Sequence, residues 1–398
     1  MDRIKQAVIL AGGLGTRLRP FTDHAPKPMV PVQGRPFLEY LLDQLKEQGI
    51  ADLVLLLGYL PKKITAHFGD GSKFGLTIRY SISDISDDTG TRIKKALNLI
   101  DDTFMLLYAD NYWPLNLKKM TEFFQAQQTN ASVTVYTNKS GITKNNIRVD
   151  DRGYVVEYDK SRTAKNLNGV EIGYCLLRKQ ALDDLPEHNF SFEADVLPRL
   201  VAAKQLSGYC TDHRYYSIST PEKVSVTESF FAPKKIIFLD RDGVINKKAP
   251  KADYVKRWAE FEFLPGAIEA LQQLQQHGYE LIIISNQAGV ARKMMTEEDL
   301  ETIHHHMKQT LAEQGVTVRA IYHCPHGWND SCGCRKPKPG MFFQAAHDHA
   351  IDLTKTIFIG DDERDQAAGD AAGCQTLLVT SDRDLLSIVR NIVTNQPL

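Results

Sequence analysis

Apolar and polar positions follow two different periods along this chain. Short aliphatic or β-branched runs at Gln6–Ala11, Leu53–Leu57, Phe104–Tyr108, Ile236–Leu239, Leu281–Ser285 and Thr356–Ile359 predict buried strands. Between them, apolar residues fall at helical spacing. Phe37, Tyr40, Leu41, Leu42 and Leu45 mark one helix face, and Gly49 stands where a C-cap belongs. The stretch from Pro265 to Gly278 repeats the arrangement, with proline near its start and glycine just past its end. Strands alternating with helices predict an α/β fold. The pattern then restarts, because Ser229-Phe230-Phe231-Ala232-Pro233-Lys234-Lys235 leads into the fresh strand Ile236–Leu239. Two α/β domains are expected, 1–230 and 234–398, each with a glycine- or aspartate-rich turn after its first strand.

Length and composition narrow the function classes. At 398 residues the chain buries ample core without a metal or disulfide to hold it together. Hydrophobic residues at 42% and charged residues at 24% are ordinary for a globular protein and argue against disorder. Forty-eight basic residues against forty-nine acidic ones leave a net charge of −1. No global basic field therefore draws in nucleic acid or an anionic membrane, although local sites for small phosphates stay open. The longest apolar stretch near the front, Leu53–Leu57, falls far short of the roughly 20 residues of a membrane helix. The first six residues run straight into a strand without a signal-peptide pattern, so a cytoplasmic location is expected. A homo-oligomer stays open.

Chemistry in the first half starts at the end of its first strand. Gly12-Gly13-Leu14-Gly15-Thr16-Arg17-Leu18 places three glycines in four positions, which lets backbone N–H groups approach an anion closely. The loop is neither G-x-G-x-x-G nor a Walker A motif, and a plain tight turn is the competing reading. Residues 7–36 resemble the signature of the sugar-1-phosphate nucleotidyltransferases, nearest the heptose- and mannose-1-phosphate guanylyltransferases, with the likeness covering roughly 4–228. The resemblance implies a Rossmann-like mixed sheet that joins a sugar 1-phosphate to the α-phosphorus of a nucleoside triphosphate. It implies that Leu10, Ala11, Gly12, Gly13, Gly15, Thr16, Arg17 and Gly90 bind the nucleotide, with Lys27 on its phosphates. It further implies that Asp110 binds Mg²⁺, Lys160 the sugar phosphate and Glu171 a sugar hydroxyl. Two positions depart from the family. Ser217 stands where a second metal-binding aspartate is usual, and a hydroxyl is a poor Mg²⁺ ligand beside a carboxylate. Arg92 interrupts the base-reading segment as Gly90-Thr91-Arg92-Ile93-Lys94, where it either crowds the base or adds a phosphate contact.

The second half carries an ordered set of aspartates. Asp240-Arg241-Asp242-Gly243 follows one strand, Ser285-Asn286 another, and Gly360-Asp361-Asp362 a third, with Lys336 after the cysteine cluster. Two carboxylates at i and i+2 suit a nucleophile and a proton donor. Residues 234–381 resemble the haloacid dehalogenase-like phosphatases, near the heptose-bisphosphate and histidinol-phosphate branches. That resemblance implies a doubly wound parallel sheet in which Asp240 forms an aspartyl phosphate and Asp242 serves as acid and then base. It assigns Mg²⁺ to Asp240, the Asp242 carbonyl and Asp361, and the phosphoryl oxygens to Ser285 and Lys336. Asn286, Arg292 and Arg335 become candidates for substrate contact, and Asp365 an orienting group.

Cys324, His326, Cys332 and Cys334 lie within eleven residues. Three thiols and an imidazole form a closed donor set for structural zinc, in a reducing compartment rather than a disulfide framework. Such an ion would shape the loop that presents Arg335 and Lys336. His304-His305-His306 reads as helix surface. Together the halves predict an enzyme that removes the 7-phosphate of heptose 1,7-bisphosphate and then couples heptose 1-phosphate to GMP from GTP. Sugar phosphates and a nucleoside triphosphate are the expected ligands, with neither nucleic acid nor membrane as partner. The alternative is a phosphatase for heptose bisphosphate, histidinol phosphate or another small phosphate, whose front domain only binds.

Overall fold

The first apolar run forms β1 (Gln6–Leu10), with all five residues buried. The structure is a computed structural model and describes residues 4–250 and 252–394. In it, β1 joins β2 (Asp52–Leu57), β3 (Thr77–Ile82), β4 (Thr103–Tyr108), β5 (Ala131–Tyr136), β6 (Val170–Arg178) and β7 (Leu206–Thr211) in one sheet. The spatial order is β7-β5-β6-β4-β1-β2-β3. Only β6 breaks the parallel set, pairing antiparallel with β4 and β5, so the sheet is mixed. Parallel neighbours require crossovers, and α1 (Phe37–Glu47), α2 (Pro61–Phe68) and α3 (Thr89–Lys95) lie in the first three. Helix α1 stops where its glycine indicates: Gly49 adopts φ 78° and donates its N–H to the Lys46 carbonyl. Helices α4 (Leu117–Gln127), α5 (Leu197–Ala202) and α6 (Pro221–Phe231) complete this unit.

The chain divides into two compact units between Ala232 and Pro233. The second unit is a five-stranded parallel sheet. Its strands are β8 (Lys235–Leu239), β9 (Tyr279–Asn286), β10 (Val318–Cys324), β11 (Ile357–Gly360) and β12 (Gln375–Leu378), in the order β10-β9-β8-β11-β12. Successive side chains of a strand face opposite ways, and the core splits accordingly. Ile237, Leu239, Leu281 and Ile283 enter one hydrophobic cluster, while Ile236, Phe238, Ile282 and Ile284 enter the other. A sheet covered on both faces explains why these strands read as continuous apolar runs. Helices α7 (Ala267–Gln276), α8 (Glu297–Glu313), α9 (Gly340–His349), α10 (Glu363–Ala372) and α11 (Leu385–Thr394) follow.

In each sheet the first strand is interior and has neighbours on both sides. Chains leave such a strand's end in two directions and open a crevice at its carboxyl edge. The loop after β1 and Asp240 after β8 both lie at that edge. No helix among the described residues is long and apolar enough to cross a membrane.

Candidate active sites

In the first unit, Leu10, Ala11, Gly12, Gly13, Gly15, Thr16, Arg17 and Lys27 line one cavity of about 440 Å³. Gly15 turns with φ 64°, and its carbonyl accepts hydrogen bonds from the Leu18 N–H and the Thr22 hydroxyl. Beneath the loop lies Arg92, 4% exposed. Its guanidinium donates to the Leu57 carbonyl (2.9 Å), the Ser83 hydroxyl (2.8 Å) and the Ile85 carbonyl (3.2 Å). A side chain at Gly12 or Gly58 would collide with it. Arg92 thus props the glycine loop from below while also lining the same cavity, and burial lowers its pKa.

Gly90 requires a correction. It is buried in α3, donates its N–H to the Phe190 carbonyl, and has no room for a Cβ because Phe190 packs against it. Its glycine identity serves helix packing rather than the cavity wall.

A second cavity of about 350 Å³ shares Arg17, Tyr108, Asp110 and Ser219 with the first, so the two form one cleft. Asp110 pairs with Lys27. Lys160 donates to the Ser191 hydroxyl (3.0 Å) and meets Glu193 (3.3 Å). Glu171 accepts the Gly173 N–H, and burial, with Glu193 and Asp110 nearby, raises its pKa to about 7 despite that bond. Ser217 lines this cavity too, its hydroxyl accepting the Ser219 N–H at 3.2 Å. Sequence reasoning missed two cations here. Arg162 sits at φ 61°, a strained conformation for a non-glycine residue. Lys223 has its pKa lowered by burial and by Arg17 and Arg162. Both are ordinary surface residues in sequence, and only the sheet brings them to the cleft.

The second unit gathers its site at the ends of β8, β9 and β11. A cavity of about 550 Å³ is lined by Asp240, Asp242, Ser285, Asn286, Arg335 and Lys336, among others. Lys336 is 2% exposed and lies 3.0 Å from Asp240, 2.7 Å from Asp365 and 2.9 Å from the Ile284 carbonyl. Burial opposes its charge, but the two carboxylates win and raise its pKa. Burial also raises Asp240, against the pull of Lys336 and with the push of Asp365, Asp242 and Asp361. Asp365 further accepts the Asp361 N–H at 2.9 Å. Asn286 clasps Lys336 through both its main-chain groups, accepting its N–H and donating to its carbonyl, each at 3.0 Å.

Asp242 is surrounded by donors. Arg241 reaches both its oxygens (3.1 and 2.9 Å), Asn246 donates to Oδ1 (2.9 Å) and Gln287 to Oδ2 (2.7 Å). Burial raises this carboxyl, yet Arg241 and the amide donors outweigh it and lower the pKa. The histidine run also requires a correction. His304 is buried, not on the surface, with its Nε2 3.2 Å from Arg241 Nη1. Burial and Arg241 lower its pKa to about 3, so it is neutral and accepts the guanidinium proton. At helical spacing one of three successive histidines must turn inward, and the sequence does not say which. Arg292 is corrected as well. It lies off the cavity wall, donates to the Ala252 carbonyl and stacks on Tyr254 and Trp328, which do form the wall.

Two groups of donors suit ions. Carboxylate oxygens of Asp240, Asp361 and Asp365 lie within 4.8 Å of one another. Asp361 Oδ1 is buried without a hydrogen-bond partner among the described residues, while Oδ2 accepts from Lys248 at 2.6 Å. A buried orphan carboxylate oxygen in a set of hard donors fits Mg²⁺. In the cysteine loop, Cys324 Sγ lies 3.5 Å from His326 Nδ1, 3.8 Å from Cys332 Sγ and 3.3 Å from Cys334 Sγ. The first two approach the edges of a zinc tetrahedron, about 3.6 Å between nitrogen and sulfur and about 3.8 Å between sulfurs, and the third is shorter. They are far too long for a disulfide.

These features place two phosphate-binding clefts of different families in one chain. The nucleotidyl transferase family matches residues 6–216, and the polynucleotide kinase 3 phosphatase family matches residues 235–384. The chain belongs to the nucleotidyl transferases through its first unit and to the haloacid dehalogenase-like phosphatases through its second. It is 39% identical over 155 residues to a D-glycero-beta-D-manno-heptose-1,7-bisphosphate 7-phosphatase of Pseudomonas aeruginosa, covering 39% of this chain and 86% of that protein. It is 40% identical over 146 residues to the alpha-heptose counterpart of Photorhabdus laumondii, covering 35% and 78%. The structure resembles HddC of Yersinia pseudotuberculosis with a TM-score of 0.50 and 26% identity, covering 57% of this chain and all of that one.

Two outcomes follow from this geometry. Chelation should release one zinc per chain, lower the melting temperature and weaken phosphate binding, since Lys336 follows the cluster by two residues. Metal analysis with calorimetry checks this, and stoichiometric zinc without stabilisation would count against it. Between about pH 4.5 and 7, native Glu171 keeps a proton that the unfolded chain releases, so stability falls as pH rises through that window. Glu171→Gln should flatten this dependence and be relatively more stable at pH 8 than at pH 5 in urea denaturation.

Proposed function

We propose that residues 234–398 remove the 7-phosphate of D-glycero-D-manno-heptose 1,7-bisphosphate. Residues 1–230 then join the resulting heptose 1-phosphate to GMP from GTP. The observation that carries the first step is the convergence of Asp240, Asp361 and Lys336 at one sheet edge, beside Asp242. The Asp240 carboxylate attacks phosphorus while the bond to the sugar oxygen breaks, and Asp242, ionised in the resting site, takes up a proton as the phosphate dianion enters and delivers it to that oxygen. Asp242 then takes a proton from the water that attacks the aspartyl phosphate, which restores Asp240 and releases phosphate. Ser285 and Lys336 hold the phosphoryl oxygens throughout, and Arg335 faces the rest of the substrate. Mg²⁺ held by Asp240, Asp361 and the Asp242 carbonyl would offset the repulsion between carboxylate and phosphate. Curated relatives that act on this bisphosphate support the substrate, and they include both anomers.

For the second step, the glycine loop, Lys27 and Arg17 receive the triphosphate, and Lys160 and Glu171 the sugar phosphate. Phosphoryl chemistry of this kind needs alignment and charge screening rather than a protein nucleophile. The donor set here fits Mg²⁺ only with help from the substrate's phosphates, since Asp110 offers one carboxylate and Ser217 a hydroxyl. Arg162 and Lys223 add positive charge beside it. The hydroxyl at Ser217 also favours a second reading, in which this unit binds nucleotide without transferring it.

Phosphorus NMR of the full chain with Mg²⁺, either heptose 1,7-bisphosphate anomer, GTP and pyrophosphatase tests both steps. Loss of the 7-phosphate followed by a sugar-nucleotide diphosphate signal is expected. Accumulated heptose 1-phosphate alone supports the binding-only reading, and an untouched bisphosphate overturns the substrate. Asp240→Asn should abolish phosphate release while GTP affinity stays unchanged.

A further inference from the structure

Resting on the phosphatase reading, we infer that Gln287 is a positioning residue that ties the phosphate-holding hydroxyl of Ser285 to the acid–base carboxylate of Asp242. Gln287 is completely buried just beyond β9, and its main-chain N–H donates to the Cys324 carbonyl at 2.8 Å. Its side-chain amide carries two hydrogens, and each has a functional acceptor. Nε2 lies 2.7 Å from Asp242 Oδ2 and 2.9 Å from Ser285 Oγ.

The direction of these bonds matters. A hydroxyl has one hydrogen to donate. Because Ser285 accepts from Gln287, its own hydrogen is available to a phosphoryl oxygen in the cavity. Turning the amide over would set Oε1 against a carboxylate oxygen, so Asp242 fixes the orientation. The Asp242 side chain is fixed in return, with Oδ1 held by Arg241 and Asn246 and Oδ2 by Arg241 and Gln287.

A purely structural role explains the amide poorly. Gln287 Oε1 is buried and accepts no hydrogen bond among the described residues. An amide kept for stability would use its acceptor, because a buried unpaired carbonyl is unfavourable. This one uses only its donors, and both point at groups that touch the substrate. Occupation of the phosphate subsite and the aim of the proton donor are therefore mechanically linked.

The test uses the full chain with zinc and Mg²⁺ on two monoesters. One is a primary alkyl phosphate, whose alkoxide needs a proton to leave. The other is 2,4-dinitrophenyl phosphate, whose phenolate leaves without one. Gln287→Leu matches the side chain in size and removes the donors. It should lower kcat on the alkyl ester about 100-fold, within the usual range for general acid catalysis, and on the aryl ester less than about tenfold. KM should rise by a similar modest factor for both, through Ser285. In an Asp242→Asn background the same change should cost no further kcat on the alkyl ester. Equal kcat losses on the two esters, or an undiminished loss in the Asp242→Asn background, overturn the inference. Should Gln287→Leu lose zinc or fail to fold, Gln287→Asn keeps the amide but cannot span to Asp242, and the same split is required of it. A parent enzyme inert on both esters overturns the phosphatase reading together with this one. A parent active on both but without the split overturns this inference alone.

Discussion

Lys336 places its ammonium between Asp240 and Asp365, out of contact with water, at the edge of a parallel sheet. An isolated buried charge costs several kcal/mol, and two close carboxylates are no better without a cation. The three groups are stable only together, which fixes the ends of β8 and α10 and the segment after the cysteine loop relative to one another. Asn286 reinforces the arrangement by gripping the Lys336 main chain, and the Ile284 carbonyl takes another of the ammonium's protons. Asp240 is thus held by a cation that it shares with Asp365, and the neighbouring groups assemble around that pair.

The first unit solves a related problem with different parts. Its glycine loop frees backbone N–H groups, but a loop of glycines has little to hold it in place. Arg92 supplies the support, binding the carbonyl at the end of β2 and that of Ile85 in the turn after β3, directly against Gly12 and Gly58. The residue that interrupts the binding motif is a buttress that also lines the cavity. The cations that face the cleft come from elsewhere: Arg17 and Lys27 near the loop, Arg162 after β6's incoming connection begins, and Lys223 at the start of α6.

Much of this was legible without coordinates. The alternation of apolar runs and helical faces gave the α/β class, and strand ends carried the aspartates, because parallel sheets place ligands at their carboxyl edges. Four metal-type donors in eleven residues announced a cluster. The failures share one cause. Gly90, Arg292 and His304 each have a side chain or Cα environment set by residues far away in the chain, such as Phe190, Trp328 and Arg241. Local spacing contains no information about those neighbours.

The same division separates what each level decides. Sequence alone determined the strands, the chemistry available at their ends and the donor set of the cysteine loop, since these depend on residue type and period along a short segment. Tertiary structure decided which charges are buried, which amide faces which oxygen, and which of three histidines turns inward. Those outcomes depend on desolvation and on hydrogen-bond partners from different strands, quantities that exist only once the sheet has brought Asp242 and Ser285 each within 3 Å of the Gln287 amide.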